Sequence, residues 1–231
     1  MVLRWLVRQG AIESLHVALQ DQLRAARVTY VVDVGANDGQ YGRLLRRLKF
    51  RGHIVSYEPV ASSFEQLAAV ARLDGNWEAH RCAIGDSDRV ATINVTRDTV
   101  FSSLHSPNST ARDLFPVECC VAATEEVRVR RLAEVLPEVV PASEWGRTHV
   151  KVDTQGHDLS VLRSLGELIE RLPSIQVELS LIPMYEGQVP YQEMLHMLHG
   201  HGFDITAVFP VARDKAMRVL EADVLLCRVE H

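Results

Sequence analysis

Cysteine is scarce in this chain and badly placed for cross-linking. Cys82, Cys119, Cys120 and Cys227 show no C-x-x-C spacing and no clustered histidines, which excludes a zinc site and a secreted disulfide framework. They read as free, buried thiols in a reducing compartment. Long apolar runs are missing too, since none approaches the roughly 20 residues of a membrane span. The start, Met1 to Arg8, is interrupted by Arg4 and Arg8 and lacks a signal-peptide core, so a cytoplasmic protein is expected. Positive charge is not in excess: 25 Lys plus Arg face 30 Asp plus Glu, a formal charge of −5. That balance speaks against a nucleic-acid partner but leaves room for a local basic patch. Twenty-two of the 25 basic residues are Arg, a bias read as genome composition more than function.

What remains is a globular composition, 47% hydrophobic and 24% charged over 231 residues. At this length folding buries about 70% of the unfolded surface, so no staple is required. No repeat or linker divides the chain. One domain over 1–231 is expected, with an N-terminal helical extension over about residues 1–27. Ile12, Leu15, Leu19 and Leu23 have helical spacing, so 11–26 reads as an amphipathic helix. Trp5, Leu6 and Val7 before it could pack on the domain, cover a site or bind a partner.

Beyond the helix, short β-branched runs alternate with helical patterns, the mark of a parallel sheet with crossover helices. Strands are expected at Val28–Val34, His53–Glu58, Trp77–Ile84, Val90–Val95, Val127–Leu132, Thr148–Asp153, Ile175–Leu179, Phe203–Phe209 and Ala222–Val229. Helices are expected at Tyr41–Phe50, Ser62–Leu73 (with Ser62 or Ser63 as N-cap), Asp158–Leu172 and Tyr191–His201. Residues 96–126 lack a sustained period, and a loop that long is usually functional or disordered.

The most informative segment is Val31-Val-Asp-Val-Gly-Ala-Asn-Asp-Gly-Gln-Tyr-Gly42, a buried strand ending in a glycine turn. Open α/β sheets bind nucleotides at such a place. Gly35 and Gly39 permit a tight turn and close approach to a ligand, or they merely turn the chain. The spacing is G-x-x-x-G-x-x-G, neither the G-x-G-x-x-G of dinucleotide binders nor a P-loop. Glu58 ends the next strand, near the offset at which an acid takes ribose hydroxyls. Its alternative role is a solvated acid before Pro59. Cys82-Ala-Ile-Gly-Asp86 could line an adenine slot.

Asp33-Val-Gly-Ala-Asn-Asp-Gly39 and Tyr57-Glu-Pro59 resemble the adenosylmethionine-binding motifs of class I methyltransferases. Lys151-Val-Asp-Thr-Gln-Gly156, Glu178-Leu-Ser180, Pro183-Met-Tyr-Glu-Gly187 and Ser102-Ser-Leu104 resemble the FkbM family within them. The likeness runs from about Val28 to Arg228. It implies a doubly wound, mostly parallel seven-stranded sheet with helices on both faces, Rossmann-like. It also implies S-adenosylmethionine as donor and transfer of a methyl group to oxygen. Asp33, Gly35, Ala36, Asn37, Asp38 and Gly39 are implied at the donor, with Tyr41, Glu58, Pro59, Ala83, Ser103 and Asp153. The implied acceptor is a hydroxyl-bearing small molecule: a sugar, glycolipid or polyketide-type metabolite.

Methyl transfer needs an aligned acceptor oxygen and a group to take its proton. Asp153, ending the central strand, is the first candidate for base or metal ligand; its other role is to cap the next helix. His157 departs from the family pattern and is either a base or a polar residue at a helix start. Glu178 lies among apolar residues, near the strand exit or in a buried pair. Asp153 and Glu178 are the candidates for binding Mg²⁺, since hard oxygen ligands suit that ion. Ser102, Ser103 and His105 supply a polar loop, and Tyr185 with Glu186 a candidate acceptor wall. A homo-oligomer is compatible with all of this. Competing readings are a nicotinamide-dependent oxidoreductase, opposed by the missing middle glycine, and a non-catalytic nucleoside-binding module.

Overall fold

Val31, Val32 and Val34 place β-branched side chains on both faces of a five-residue strand, β1 (Tyr30–Val34), buried at every position after the first. Such a strand must be covered on both sides. The computed structural model describes residues 9–229, so the roles considered for Trp5, Leu6 and Val7 lie outside the described residues. Helix α1 (Gln9–Ala25) precedes β1. Then follow α2 (Gln40–Arg47), β2 (His53–Tyr57), α3 (Ala61–Ala71) and β3 (Trp77–His80). After them come β4 (Ala83–Ile84), β5 (Arg89–Thr96), α4 (Ser109–Leu114), β6 (Val121–Arg130) and α5 (Leu132–Val139). The chain continues through β7 (Thr148–Val152), α6 (Asp158–Arg163), β8 (Ser174–Ser180), α7 (Tyr191–Gly200), β9 (Phe203–Arg213) and β10 (Val219–Arg228).

The main sheet has seven strands in the order β3-β2-β1-β7-β8-β10-β9. All pairs from β3 to β8 are parallel, and β10 runs antiparallel to both neighbours. Helices cover both faces. Leu19 and Leu23 of α1, Leu45 of α2 and Leu67 of α3 pack over Val31 and Ile54. Leu136 of α5, Leu162 of α6 and Leu198 of α7 pack over Val32, Val150 and Val177. The doubly wound expectation is therefore met.

Several local expectations need correction. The strand expected over Trp77–Ile84 is two: β3 joins the main sheet, whereas β4 joins a separate three-stranded sheet, β4-β6-β5. The first turn of α3 is not capped by Ser62 or Ser63. Its backbone N–H groups at Val60 and Ala61 reach Glu58 Oε1 (2.8 Å) and Glu125 Oε2 (3.0 Å) instead. Residues 96–126 are not structureless: they hold a 3₁₀ turn (Thr99–Phe101), α4 and the start of β6. Phe101, Phe115 and Cys119 pack there against Met184, Tyr185 and Leu220, contacts too distant in sequence for a local pattern to reveal. The helix expected over Asp158–Leu172 stops at Arg163, and Gly166 (φ 54°) opens a 3₁₀ segment to Arg171. Helix α5 and a 3₁₀ segment (Ala142–Arg147) were not expected at all.

Candidate active site

Strand order reverses between β1 and β7, and at the C-terminal ends of these strands the chain leaves a cavity of about 330 Å³. A switch point of this kind is where open α/β sheets bind ligands. Side-chain alternation and register build its floor. Ser56, Asp33, Lys151 and Gln176 are successive partners across β2, β1, β7 and β8, so one polar row crosses the sheet. Two residues on, the same face presents Asp153, Glu178 and Asp223, the last two paired between β8 and β10.

Lys151 anchors this floor. Its Nζ lies 3.3 Å from Asp33 Oδ1 and 3.4 Å from Asp153 Oδ2, and donates to the Gly35 carbonyl at 3.3 Å. Burial alone would lower the Lys151 pKa, but the Asp33 and Asp153 carboxylates outweigh it and hold it above the ordinary range. Asp33 is fully buried, and burial raises its carboxyl despite Lys151. Burial, then the Asp153 charge, pushes Asp223 up to about 6. Tyr41 stacks below, its hydroxyl donating to Gln176 Oε1 (2.9 Å) with Lys151 Nζ 5.5 Å from its ring centre.

Gln155 is the residue the sequence reading missed. Its Nε2 donates to Asp153 Oδ1 and Glu178 Oε2, both at 2.9 Å, while Tyr185 donates to its Oε1 at 2.9 Å. Its backbone is left-handed (φ 54°), and its carbonyl accepts from Ser103 Oγ at 2.6 Å. One residue therefore joins two strand ends and the loop after β8 through its side-chain amide, and the long loop through its backbone carbonyl. The K-V-D-T-Q-G run was visible, but a glutamine between an acid and a glycine carries no local sign of such partners.

At the other end stands Glu58, 6% exposed, with Oε2 accepting from the Asn37 N–H and Oε1 from the Val60 N–H, both at 2.8 Å. Burial, against these two hydrogen bonds, raises its pKa to about 7. Pro59, Cys82, Ala83, Ile84, Ile93 and Leu104 form an apolar slot beside it. The glycine loop does not offer its backbone outward: the Gly35 and Ala36 N–H groups both bond the Tyr57 carbonyl. Nor does Gly35 make room for a ligand, because a Cβ there would overlap the Asp153 carbonyl. Gly39 (φ 89°) faces Leu67 and Trp77.

Gly35, Ala36, Asn37, Tyr41, Glu58, Pro59, Ala83, Ser103, Asp153, His157 and Glu178 all line the cavity. Asp33 lies beneath it, and Asp38, which does not line it, pairs with Arg43 at 2.9 Å. Asp153 and Glu178 are brought together by Gln155, whereas His157 is held apart. The His157 Nδ1 meets His105 Nε2 at 3.1 Å, and its Nε2 is buried with no protein partner. Burial, then His105, lowers His157 to about 4, so the imidazole is neutral and weakly basic at pH 7. Among the described residues no three His, Cys, Asp or Glu side chains gather as metal ligands. Asp153, one of the two metal candidates, already faces the Lys151 ammonium at 3.4 Å, and a divalent cation beside that charge would be repelled, so the pair does not fit a Mg²⁺ site.

Residues 33–205, more than half of the chain, match the family described as the methyltransferase FkbM domain. Methyltransferase 1 of Beauveria bassiana is 26% identical over 149 residues, covering 60% of this chain and 59% of that protein. D-alanine--D-alanine ligase of Paraburkholderia phymatum is 26% identical over 98 residues, covering 42% and 31%. The chain thus spans less than two thirds of the curated relatives it matches. Among solved structures, precorrin-6y C5,15-methyltransferase from Geobacter metallireducens has a TM-score of 0.51 at 10% identity, covering 93% of this chain and 88% of that one. That likeness is one of fold.

Proposed function

Because the chain belongs to the FkbM methyltransferase family, we propose that it transfers a methyl group from S-adenosylmethionine to a hydroxyl of a sugar, glycolipid or polyketide-type metabolite. The observation that carries this reading is one cavity with a desolvated carboxylate, Glu58, at one end and the clamped pair Asp153 and Glu178 at the other. When bound, the donor supplies an electrophilic methyl group on a sulfonium sulfur. Glu58 suits the two ribose hydroxyls: it has lone pairs left after its two backbone bonds, and its charge is costly without further donors. The apolar slot from Pro59 to Leu104 suits the adenine. The orphaned His157 Nε2 on that wall is available to a ring nitrogen or amine. The Gly35, Ala36 and Asn37 amides, already bonded to protein, leave no cradle for a pyrophosphate, which disfavours a nicotinamide dinucleotide.

Asp153 and Glu178 take the acceptor hydroxyl. Gln155 orients both carboxylates, which accept the O–H and receive its proton during attack. A base so placed contributes roughly 10²–10⁴-fold. Leu15, Leu19 and Leu44 add an apolar wall at that end, suited to the ring or chain that carries the hydroxyl. Calorimetric titration with adenosylhomocysteine and with NAD tests the donor. Binding of the first alone is expected; preference for NAD would overturn the reading. Asp153→Asn should retain adenosylhomocysteine binding and lose at least about 100-fold in kcat on acceptors that support turnover.

A further inference from the structure

A second cleft, of about 540 Å³, lies at the opposite end of the sheet's strands, where β1 and β2 begin. The end of α1, the turn into β1, the turn after α2 and Arg147 wall it. Five of its lining residues are cationic (Arg24, Arg27, Lys49, Arg51 and Arg147), none is acidic, and the chain as a whole is acidic. Among the described residues only Arg147 of these five has an ion pair, with Glu144 at 3.7 Å, and that carboxylate also accepts from Thr29. Asp74, which Arg51 influences, is held by Arg46. Leu23, Val28, Leu48 and Phe50 give the cleft an apolar lining beneath the charges.

Helix dipoles do not account for this. Arg24 sits in the last turn of α1, where a cation is favoured, but the effect fades beyond that turn. Both α1 and α2 close with the same device. The Val28 N–H bonds the Leu23 carbonyl and the Arg27 N–H that of Arg24; Phe50 bonds Leu45 and Lys49 bonds Arg46 in the same pattern. The left-handed residue of such a cap is usually glycine. Here it is Arg27 (φ 51°) in one helix and Lys49 (φ 65°) in the other, two cations held at strained positions on one cleft.

We propose that this cleft binds a small organic phosphate, at a site separate from the methyl-transfer cavity. Guanidinium forks match phosphate oxygens, the apolar lining suits an attached carbon group, and the volume falls in the range of about 300–1,000 Å³ of small-molecule pockets. The two sites stand at opposite ends of the five residues of β1, about 15 Å apart.

The test is calorimetry with phenyl phosphate and pyrophosphate as probes, with adenosylhomocysteine at saturation to occupy the other cavity. The variant is Arg27→Gly/Lys49→Gly, in which glycine relieves both left-handed positions while two charges are removed. Wild-type protein should bind each probe saturably at one site, and phenyl phosphate more tightly than inorganic phosphate titrated alongside as the probe without a carbon group. The variant should bind at least tenfold more weakly, with an unchanged or higher unfolding temperature and unchanged adenosylhomocysteine affinity. Absence of saturable binding, equal binding by the variant, or loss of probe binding under adenosylhomocysteine would overturn the proposal. Displacement of the probes by a short RNA at lower concentration would overturn the small-ligand assignment. If adenosylhomocysteine itself fails to bind, the donor reading falls while the probe titrations still decide the cleft.

Discussion

Replacing Lys151 with methionine leaves the Asp33 carboxylate, fully buried, without its cation. At 3.3 Å and an effective dielectric near 20, the lost attraction is about 5 kcal/mol. Breaking buried pairs by removing one partner costs about 3–5 kcal/mol. For a domain of this size that corresponds to a fall in Tm of roughly 6–20 °C, at about 2–4 °C per kcal/mol. Protonation limits the loss. Burial already raises Asp33, and without the Lys151 charge it rises further. A carboxyl raised above its unfolded value contributes stability that is present below that value and lost as pH rises through the folded one. Lys151→Met should therefore be weakest at pH 8 and recover as the pH falls toward 5. Urea unfolding of the wild type, Lys151→Met, Asp33→Asn and the double variant across that range measures it. The double variant, with no charge stranded, should regain most of the loss. A single variant as stable as wild type at pH 8, or a double variant no better than the single, would refute the argument.

Other outcomes follow from the same geometry. Burial raises the Glu58 pKa to about 7, and the proposed ribose contact needs the carboxylate, so adenosylhomocysteine affinity should weaken as pH falls below 7. Glu58→Gln should lower affinity roughly 10–100-fold at pH 8 and flatten that profile, one charge-assisted hydrogen bond being worth about 1.5–3 kcal/mol; an unchanged profile counts against the ribose assignment. Gly35→Ala meets the Asp153 carbonyl at φ 78° and should cost about 3 kcal/mol or more, seen as lost soluble yield or a lower Tm. Gly75→Ala, with nothing within 4 Å, is the control expected to melt near wild type. Gln155→Leu removes the donor shared by Asp153 and Glu178. Two like charges then face each other, so the acid limb of the pH–rate profile should move upward, and a profile identical to wild type would deny Gln155 its orienting role.

Much of the architecture was legible because it is periodic. The valine run of β1, the helical spacing of Leu15, Leu19 and Leu23, and the turn between Gly35 and Gly39 are local patterns. Each survives in the structure. Glu58 at the end of β2 was legible for the same reason: a strand's end and the acid that follows it are adjacent in sequence. Expectations failed where a local pattern had two continuations. The run from Trp77 to Ile84 passes between sheets at a bend, and the helix after Asp158 meets Gly166 in a left-handed conformation.

The site itself belongs mostly to the tertiary structure. Asp33 and Lys151 are 118 positions apart by number, yet register makes them partners. Asp153, Glu178 and Asp223 form one acidic row only because β7, β8 and β10 are neighbours. Gln155 gains its meaning from the carboxylates it bridges, and Arg27 and Lys49 from two helix ends that close on one cleft. By itself the sequence determined which segments are strands buried on both faces and where the glycine turn after β1 lies, because burial and turning are properties of neighbouring residues. Which charges meet was decided by strand order and register, which follow from how whole faces of distant segments pack together.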